Sequence, residues 1–228
     1  MTKERIGVLG GRFDPIHYGH VGTAAAAQLA LGLERVLLIP SGVSPHRAAP
    51  AGASDADRLA MVTLAARGAP NLVPSDLELR ADGPSYTALT LARLHRQGYD
   101  RTQLFFVLGA DAFAEIGTWH DYPAVLEAAH FVVVARPGHP VADLPGLLPA
   151  LRYRMREVPP EAGHGTWTLD TAPGIWLLDA VTPDVTSTHV RECLARRQPV
   201  TDLIPPAVAS YIAEHGLYDV DPAVSLHD

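Results

Sequence analysis

Short apolar segments alternate along this chain with longer segments of helical periodicity, and this alternation limits the possible folds more than any other feature. The apolar segments predict strands at 6–11, 36–41, 72–79, 104–109, 131–135 and 175–181. Most of them are apolar at nearly every position, which indicates that both faces of their sheet are covered. Because helical segments separate them, the strands are expected to be joined by crossovers and to run parallel.

Helical periodicity places helices between and after the strands, at 20–31, 55–67, 85–97, 111–116, 123–129, 187–196 and 206–215. The pattern predicts an α/β protein with a doubly wound, mostly parallel, Rossmann-like sheet and helices on both faces. Such sheets bind ligands at the carboxyl ends of their strands. We therefore expect the functional site in the loops that follow the strands.

The domain organisation is predicted to be simple. The chain has 228 residues, which suffice for one large α/β domain, and we assign residues 1–218 to it. Residues 139–174 are rich in proline and glycine, with a weak helical stretch at 144–154, and are expected to form a variable excursion within that domain. Residues 219–228 are expected to be a frayed tail.

Charge and composition narrow the possible partners. The formal net charge of −7 argues against a nucleic-acid partner. No apolar run approaches the length of a membrane span, and the charged N-terminus lacks the apolar core of a secretory leader, so we expect a cytoplasmic protein without a membrane partner. The single cysteine, Cys193, is expected to be a small semi-buried residue of a helix. Homo-oligomer formation is left open.

A motif of glycines and histidines follows the first predicted strand, in the segment GGRFDPIHYGH at 10–20. Gly10 and Gly11 let the backbone come close to a ligand. His17 and His20 are three residues apart, and His20 stands at the start of the first helix. Unpaired N–H groups and the positive end of the helix dipole suit a phosphate there, and histidine donors can follow charge that builds on a phosphoryl oxygen.

Each part of this motif has an ordinary structural alternative. An isolated histidine is usually a core or surface residue, and an isolated glycine pair is usually a turn. A histidine pair can also bind a metal, but no third ligand with suitable spacing completes a zinc site, so we expect no metal held by the protein. The ordered set of strand, glycines, F-D-P and H-x-G-H is much more specific than its parts.

This ordered set resembles the signature of the nucleotidyltransferase superfamily that shares an H-x-G-H motif. Its form is most similar to that of the bacterial nicotinate mononucleotide adenylyltransferases. The resemblance implies transfer of an adenylyl group from ATP to nicotinate mononucleotide, which yields nicotinate adenine dinucleotide and pyrophosphate in NAD biosynthesis. The family usually carries a small hydroxyl residue where this chain has Arg12, so a hydroxyl donor is lost and a charge is added beside the phosphates.

A second motif, VTSTHVR at 185–191, follows the last predicted strand and enters a helix. Alone, it is read as a Ser/Thr helix cap followed by a solvated arginine. It resembles the I-S-S-T-x-I-R motif of the same family, with Thr186 in place of the first serine. The resemblance implies that Ser187, Thr188 and Arg191 hold the ATP phosphates, a role that suits hydroxyls and a guanidinium.

The resemblance extends to the rest of the ATP site. The segments GADAF at 109–113 and RPG at 136–138 follow predicted strands and match family segments at the ribose and the adenosine end. The catalytic residues that it implies are His17, His20 and Arg191. The implied ATP-binding set is Gly10, Gly11, Phe13, His20, Asp111, Arg136, Ser187, Thr188 and Arg191.

Two further segments resemble the part of the family that holds the pyridine mononucleotide. PSGVSPHR at 40–47 resembles the P-P-H-K loop, with an arginine replacing its lysine, and GPSYTALTL at 83–91 resembles G-x-SYT-x-x-TL. A tryptophan after the fourth strand is implied to stack on the pyridine ring. The ordinary alternatives are a basic loop tip, a serine helix cap and a core tryptophan. The implied substrate-binding set is Arg47, Ser85, Tyr86, Thr87, Trp119 and His120.

The resemblance implies direct in-line attack of the substrate phosphate on the α-phosphorus of ATP, with Mg²⁺ carried by the ATP phosphates and no tightly bound organic cofactor. The expected partners are ATP and a pyridine mononucleotide. Three alternatives stay open: an adenylyltransferase for nicotinamide mononucleotide, one for phosphopantetheine, and a non-catalytic nucleotide-binding sensor. A dehydrogenase is disfavoured because the first loop lacks G-x-G-x-x-G.

Overall fold

The computed structural model describes residues 4–43, 52–160 and 172–218. The strands among these residues are β1 (Ile6–Gly11), β2 (Arg35–Pro40), β3 (Leu72–Pro74), β4 (Leu104–Gly109), β5 (His130–Val134), β6 (Met155–Val158) and β7 (Ile175–Leu178). They form one sheet in the order β3-β2-β1-β4-β5-β7-β6, in which all neighbours are parallel. The predicted doubly wound, Rossmann-like sheet is therefore confirmed.

The α-helices of the described residues are α1 (Tyr18–Leu31), α2 (Asp55–Arg67), α3 (Thr87–Arg96), α4 (Ala110–Ala114), α5 (Leu144–Leu147), α6 (Ser187–Ala195) and α7 (Pro206–Glu214). Short 3-10 turns lie at Ile116–Thr118, Ala124–Glu127, Val141–Asp143 and Pro149–Arg154. None of the helices in the described part of the chain is long and apolar enough to cross a membrane. Cys193 lies in a helix, α6, as predicted, and is buried instead of semi-buried.

Alternating side chains of the central strand β4 divide the core between two faces of the sheet. Phe105 and Val107 are buried together with residues of α1, α2, α6 and α7. Phe106 and Leu108 are buried together with residues of α3 and α4. Successive side chains of a strand point to opposite faces of the sheet. Because both faces are covered here, every buried position of β4 is apolar.

Several boundaries differ from the sequence-based prediction. β3 ends at Pro74 instead of residue 79, because its pairing with β2 stops there and a turn follows, in which the N–H of Arg80 donates to the carbonyl of Asp76 at 3.0 Å. The predicted helix at 123–129 is one 3-10 turn. α1 begins at Tyr18, so His20 lies in its first turn.

The strand β6 was not predicted. It lies at the edge of the sheet within the proline- and glycine-rich excursion, pairs only with β7 among the described strands, and exposes Arg156 and Glu157. Charged side chains are common on edge strands, where they discourage pairing with other chains. Because of them, β6 lacks the apolar run from which the other strands were predicted. The predicted frayed tail at 219–228 lies outside the described residues. The assignment of 1–218 to one domain stays a prediction.

Candidate active site

A cavity of about 360 Å³ opens at the carboxyl ends of β1 and β4. That place and size suit a small-molecule site in a doubly wound sheet. Eight of the predicted site residues line it: Gly10, Gly11, His20, Ser85, Thr87, Asp111, Trp119 and Arg136. A second hollow, of about 280 Å³, lies at the β6 edge of the sheet and has none of the predicted residues in its wall.

The histidine pair of the first motif is stacked, with one ring facing the cavity and the other buried behind it. The ring centroids of His17 and His20 are 3.7 Å apart at an interplanar angle of 26°. The backbone N–H of His17 donates to Nδ1 of His20 at 3.3 Å. Because Nδ1 accepts this bond, Nε2 is the donor nitrogen of a neutral His20 ring. The edge of the buried Phe13 ring supports His20 at a centroid distance of 4.9 Å.

His17 does not line the cavity, although the motif implied a catalytic role for it. Its residue is 2% exposed, and burial together with the positive charge of Arg136 lowers its pKa to about 3. His17 is therefore neutral near pH 7. The backbone N–H and the ring of His17 contact His20, so His17 orients His20 and does not itself face the cavity.

Asp14 anchors the loop between β1 and α1 to two distant parts of the chain. Its buried carboxylate accepts hydrogen bonds from the backbone N–H groups of Gly52 and Ala53 at 2.8 and 3.1 Å. It also accepts one from the Tyr218 hydroxyl at 2.8 Å, and Nε of Arg12 lies 3.6 Å away. These contacts hold the loop that carries the first motif.

The second motif contacts that same loop. Nη1 of Arg191 donates to the backbone carbonyl of Asp14 at 2.6 Å, and the Ser187 hydroxyl donates to the carbonyl of Pro15 at 3.0 Å. Nη2 of Arg191 also contacts the Thr188 hydroxyl at 3.3 Å. These three residues of α6 do not line the cavity itself. Asp14 and Arg191 are 177 residues apart along the chain, and the two motifs nevertheless meet at one loop.

The residues that the resemblance implies for the ribose and the adenosine end lie where β4 and β5 end. Asp111 is in the first turn of α4 and Arg136 follows β5, and both line the cavity. A Cβ atom on Gly109 would lie 2.4 Å from Oδ1 of Asp111 and 2.6 Å from Cδ of Arg136. A larger residue at this position would have to displace one or both of these side chains.

The predicted mononucleotide residues are only partly brought together. Ser85, Thr87 and the half-exposed Trp119 line the cavity. Tyr86 and His120 do not line it but stack on each other, with ring centroids 4.2 Å apart. The rings of Trp119 and Phe106 are arranged edge to face with centroids 6.1 Å apart, so Trp119 both lines the cavity and packs, partly buried, against the core. Arg47 lies outside the described residues.

The cavity wall also contains residues that the motifs did not assign. Arg12 lines it, in line with the charge expected beside the phosphates, and so do Ser41 and Glu78. Ser41 directly follows β2, so the rule that ligands bind after strands could have found it. Glu78 was hidden because the segment 72–79 was predicted to be a strand.

The cavity wall carries side chains of both charge signs. Arg12 and Arg136 bring permanent positive charge, and Asp111 and Glu78 bring carboxyl groups. Among the described residues, no group of three His, Cys, Asp or Glu side chains is placed to hold a metal ion.

Comparisons with known proteins show the family of the chain. The model of the family described as Cytidylyltransferase-like matches residues 8–193. A "Probable nicotinate-nucleotide adenylyltransferase" of Aeromonas salmonicida (strain A449) is 42% identical over 221 residues, which cover 97% of this chain and 100% of that protein. One with the same name from Desulfatibacillum aliphaticivorans is 39% identical and covers 94% of this chain and 99% of its own length.

A solved structure shares the fold at lower sequence identity. The Plasmodium falciparum nicotinic acid mononucleotide adenylyltransferase, in complex with NaAD, has a TM-score of 0.69 and 17% identity, and the match covers 96% of this chain and 99% of that one. The same enzyme complexed with APC has a TM-score of 0.66.

Proposed function

The chain belongs to the nicotinate-nucleotide adenylyltransferases of the cytidylyltransferase-like family, and from this membership we propose that it transfers the adenylyl group of ATP to nicotinate mononucleotide. The products are nicotinate adenine dinucleotide and pyrophosphate, which places the reaction in NAD biosynthesis. The observation that carries the proposal is the meeting of the H-x-G-H and S-T-x-x-R motifs at the loop after β1, beside the cavity.

The reaction needs no nucleophile from the protein. An oxygen of the mononucleotide phosphate attacks the α-phosphorus of ATP, a new P–O bond forms, and the bond from the α-phosphorus to the oxygen bridging to the β-phosphorus breaks. Pyrophosphate leaves with that bridging oxygen. The protein aligns the two substrates in line and compensates the charge that develops on the phosphoryl oxygens.

The described residues support a placement for ATP. Asp111 accepts from the ribose hydroxyls, and Arg136 lies at the adenosine end. The triphosphate extends along Gly10 and Gly11 towards Nε2 of His20. We propose that the α6 residues Ser187, Thr188 and Arg191 act on its far end, since α6 begins there and a helix N-terminus attracts phosphates.

The mononucleotide is proposed to occupy the end of the cavity near α3. Trp119 offers a flat face for the pyridine ring. Ser85 and Thr87 lie at the start of α3, whose unpaired N–H groups and positive dipole end favour a carboxylate over a neutral amide. The proposed preference is therefore for the acid form of the nucleotide. Arg12 adds positive charge for the attacking phosphate.

The few carboxyl groups of the cavity wall are consistent with a metal ion that is held by the substrate and not by the protein. With no three-ligand group in the described part of the chain, we propose that Mg²⁺ enters with ATP, bound by phosphate oxygens and water. Its charge would offset that of the triphosphate and of the leaving pyrophosphate. We also propose that the protein works in the cytoplasm on these free nucleotides. Its net charge of −7 disfavours nucleic acid as a partner.

A substrate comparison tests this proposal. The purified protein is given ATP and Mg²⁺ with nicotinate mononucleotide, nicotinamide mononucleotide or phosphopantetheine, and pyrophosphate release and product mass are measured. We expect the highest kcat/KM with nicotinate mononucleotide and a product with the mass of nicotinate adenine dinucleotide. Binding of ATP without pyrophosphate release would instead support a sensor, and a preference for another acceptor would reject the substrate assignment.

A further inference from the structure

Glu78 is a buried carboxyl group in the cavity wall to which the proposed reaction gives no role. The residue is 7% exposed and lines the cavity together with Ser41 and Ser85. Burial raises the pKa of Glu78, while hydrogen bonds from Thr90 and Ser85 and the positive charge of Arg93 act in the opposite direction. Burying a carboxyl group costs free energy unless hydrogen-bond donors surround it. The donors around Glu78 therefore indicate which part of the structure it holds in place.

The first contacts of Glu78 are with the start of α3. The Thr90 hydroxyl, which is 1% exposed, donates to Oε1 of Glu78 at 2.5 Å. The Ser85 side chain, two residues before α3, lines the same cavity, and its hydroxyl acts to lower the pKa of Glu78. One carboxyl group therefore holds the segment that enters α3 and the first turn of that helix.

Ser85 continues this chain of contacts to the loop after β2. The backbone N–H of Gly42 donates to Oγ of Ser85 at 2.9 Å, and the backbone N–H of Ser85 donates to the carbonyl of Val43 at 2.8 Å. Because Oγ of Ser85 accepts from Gly42, its own hydrogen can be given to the Glu78 carboxylate. Glu78 is thus linked through Ser85 to a second segment of the cavity wall, which Ser41 begins.

These contacts lie at the proposed mononucleotide end. The adenosine end is assigned to different residues, Gly109, Asp111 and Arg136, and the contacts of Glu78 described above involve none of them. A loss of the Glu78 contacts would therefore weaken binding of the mononucleotide more than binding of ATP.

We propose that Glu78 is a positioning residue: its carboxylate, through Ser85, holds the start of α3 and the loop after β2 in the arrangement that binds the pyridine mononucleotide. The proposal rests on the proposed function, because it assigns that end of the cavity to the mononucleotide. Glu78 sets the KM for the mononucleotide, and it has little effect on the KM for ATP or on kcat.

The ionised form of Glu78 is the one that accepts both hydroxyl hydrogens, so the effect depends on pH. The charged and titratable groups around it are Arg93 on α3 and, across the cavity, Arg12, His20, Asp111 and Arg136. The variant Glu78→Gln keeps the size and one acceptor oxygen of the side chain but cannot ionise. It reproduces the neutral form at every pH.

The test compares wild type and Glu78→Gln by steady-state kinetics with both substrates across pH 5 to 9. At high pH we expect a roughly tenfold higher KM for nicotinate mononucleotide in the variant, the loss that follows from weakening a hydrogen bond to a charged group, with the KM for ATP nearly unchanged. The ratio of wild-type to variant kcat/KM should approach one as the pH falls and Glu78 becomes protonated. A ratio that does not vary with pH, or equal changes in both KM values, overturns the proposal.

Two controls separate positioning from general damage. Glu157→Gln makes the same chemical change at an exposed position of β6 and should alter neither KM. Ser85→Ala should raise the KM for the mononucleotide, and adding Glu78→Gln to it should raise the KM little further, because both changes break one chain of contacts. Additive effects would show that Glu78 does not act through Ser85.

The outcomes for Glu78 and for the proposed function are distinguishable. Turnover of nicotinate mononucleotide by the wild type decides the function, whatever the variant does. If the wild type does not turn over, calorimetric binding of nicotinate mononucleotide and of ATP to both proteins replaces the kinetics, with the same expected difference. If Glu78→Gln does not fold, Thr90→Val removes one donor instead, and an unchanged KM for the mononucleotide in that variant rejects the proposal.

Discussion

His20 is the residue whose ring is best placed to act on a phosphoryl oxygen of ATP. Its ring lines the cavity and is held by the His17 backbone and by Phe13. These contacts hold Nδ1 and the face of the ring, and they leave Nε2 as the nitrogen that carries the hydrogen. We therefore expect Nε2 to donate to a phosphoryl oxygen in the transition state. His20→Ala should lower kcat by roughly 10²- to 10³-fold, as expected for removal of one such donor.

The melting temperature separates this effect from misfolding. His20 is only partly buried, so its replacement should change the melting temperature little. His215→Ala, at an exposed position after α7, serves as the matched control and should keep normal turnover. Near-normal kcat in His20→Ala would contradict the assigned role.

His17 makes a prediction about stability instead of turnover. Its pKa is lowered to about 3 in the folded protein, from an ordinary value of 6.5. Between these values the unfolded chain binds more protons than the folded one, so the free energy of unfolding falls as the pH falls through this range, by up to about 1.4 kcal/mol per pH unit from this residue. His17→Asn should lose this part of the pH dependence.

Urea unfolding at several pH values between 4 and 7 measures the effect. The quantity of interest is the difference between wild type and His17→Asn at each pH, since other groups titrate equally in both proteins. The difference should shrink as the pH falls. A constant difference would mean that His17 is not held neutral by burial.

At the level of residues, His20 was predicted from its position at the start of the first helix, and Asp111 and Arg136 were predicted from the family resemblance. His20, Asp111 and Arg136 follow strands at short fixed distances, and they do line the cavity. Glu78 was missed because its role depends on contacts with Thr90 and Ser85, which no local pattern reveals. The same holds for Tyr86, whose stacking on a residue over thirty positions away turns it from the cavity wall.

α6 is the element whose position decides whether the two motifs act together. Its Arg191 and Ser187 donate to backbone carbonyls of the loop after β1. We expect Arg191→Ala to lower kcat/KM for ATP by roughly 10²-fold, because a charge-assisted contact to phosphate and the contact to the loop are both lost. Arg191→Lys should be intermediate, since it keeps the charge but not the planar fork.

The same helix provides the control. Arg196 is exposed at the C-terminal end of α6, and Arg196→Ala removes an equal charge far from the loop. Steady-state kinetics with varied ATP should show no change in that variant. Equal losses in the Arg191 and Arg196 variants would indicate a general charge effect and would contradict the specific role of Arg191.

Among the elements, those covered on both faces were predicted best. β1 and β4 have the predicted bounds because both faces are buried and the chain is apolar throughout. β6 was missed because an edge strand with Arg156 and Glu157 on its surface has no such pattern. β3 was predicted too long, since the apolar residues after Pro74 belong to a turn that packs Glu78 inward.

For the whole molecule, the closing contact of Tyr218 with Asp14 spans 204 residues. Removing its hydroxyl leaves the buried carboxylate with one donor fewer. Tyr218→Phe should reduce the free energy of unfolding by about 1 kcal/mol and the melting temperature by about 2–4 °C. Calorimetry of the variant measures this, and an unchanged melting temperature would show that the contact contributes nothing to stability.

The central claim is that both motifs act on one triphosphate. The most direct measurement is a crystal structure of the protein with Mg²⁺ and a non-hydrolysable ATP analogue. The account predicts adenosine beside Asp111 and Arg136, and the triphosphate between His20 on one side and the start of α6 with Arg191 on the other. A triphosphate bound away from either motif, with Arg191 and His20 facing separate surfaces, would contradict it.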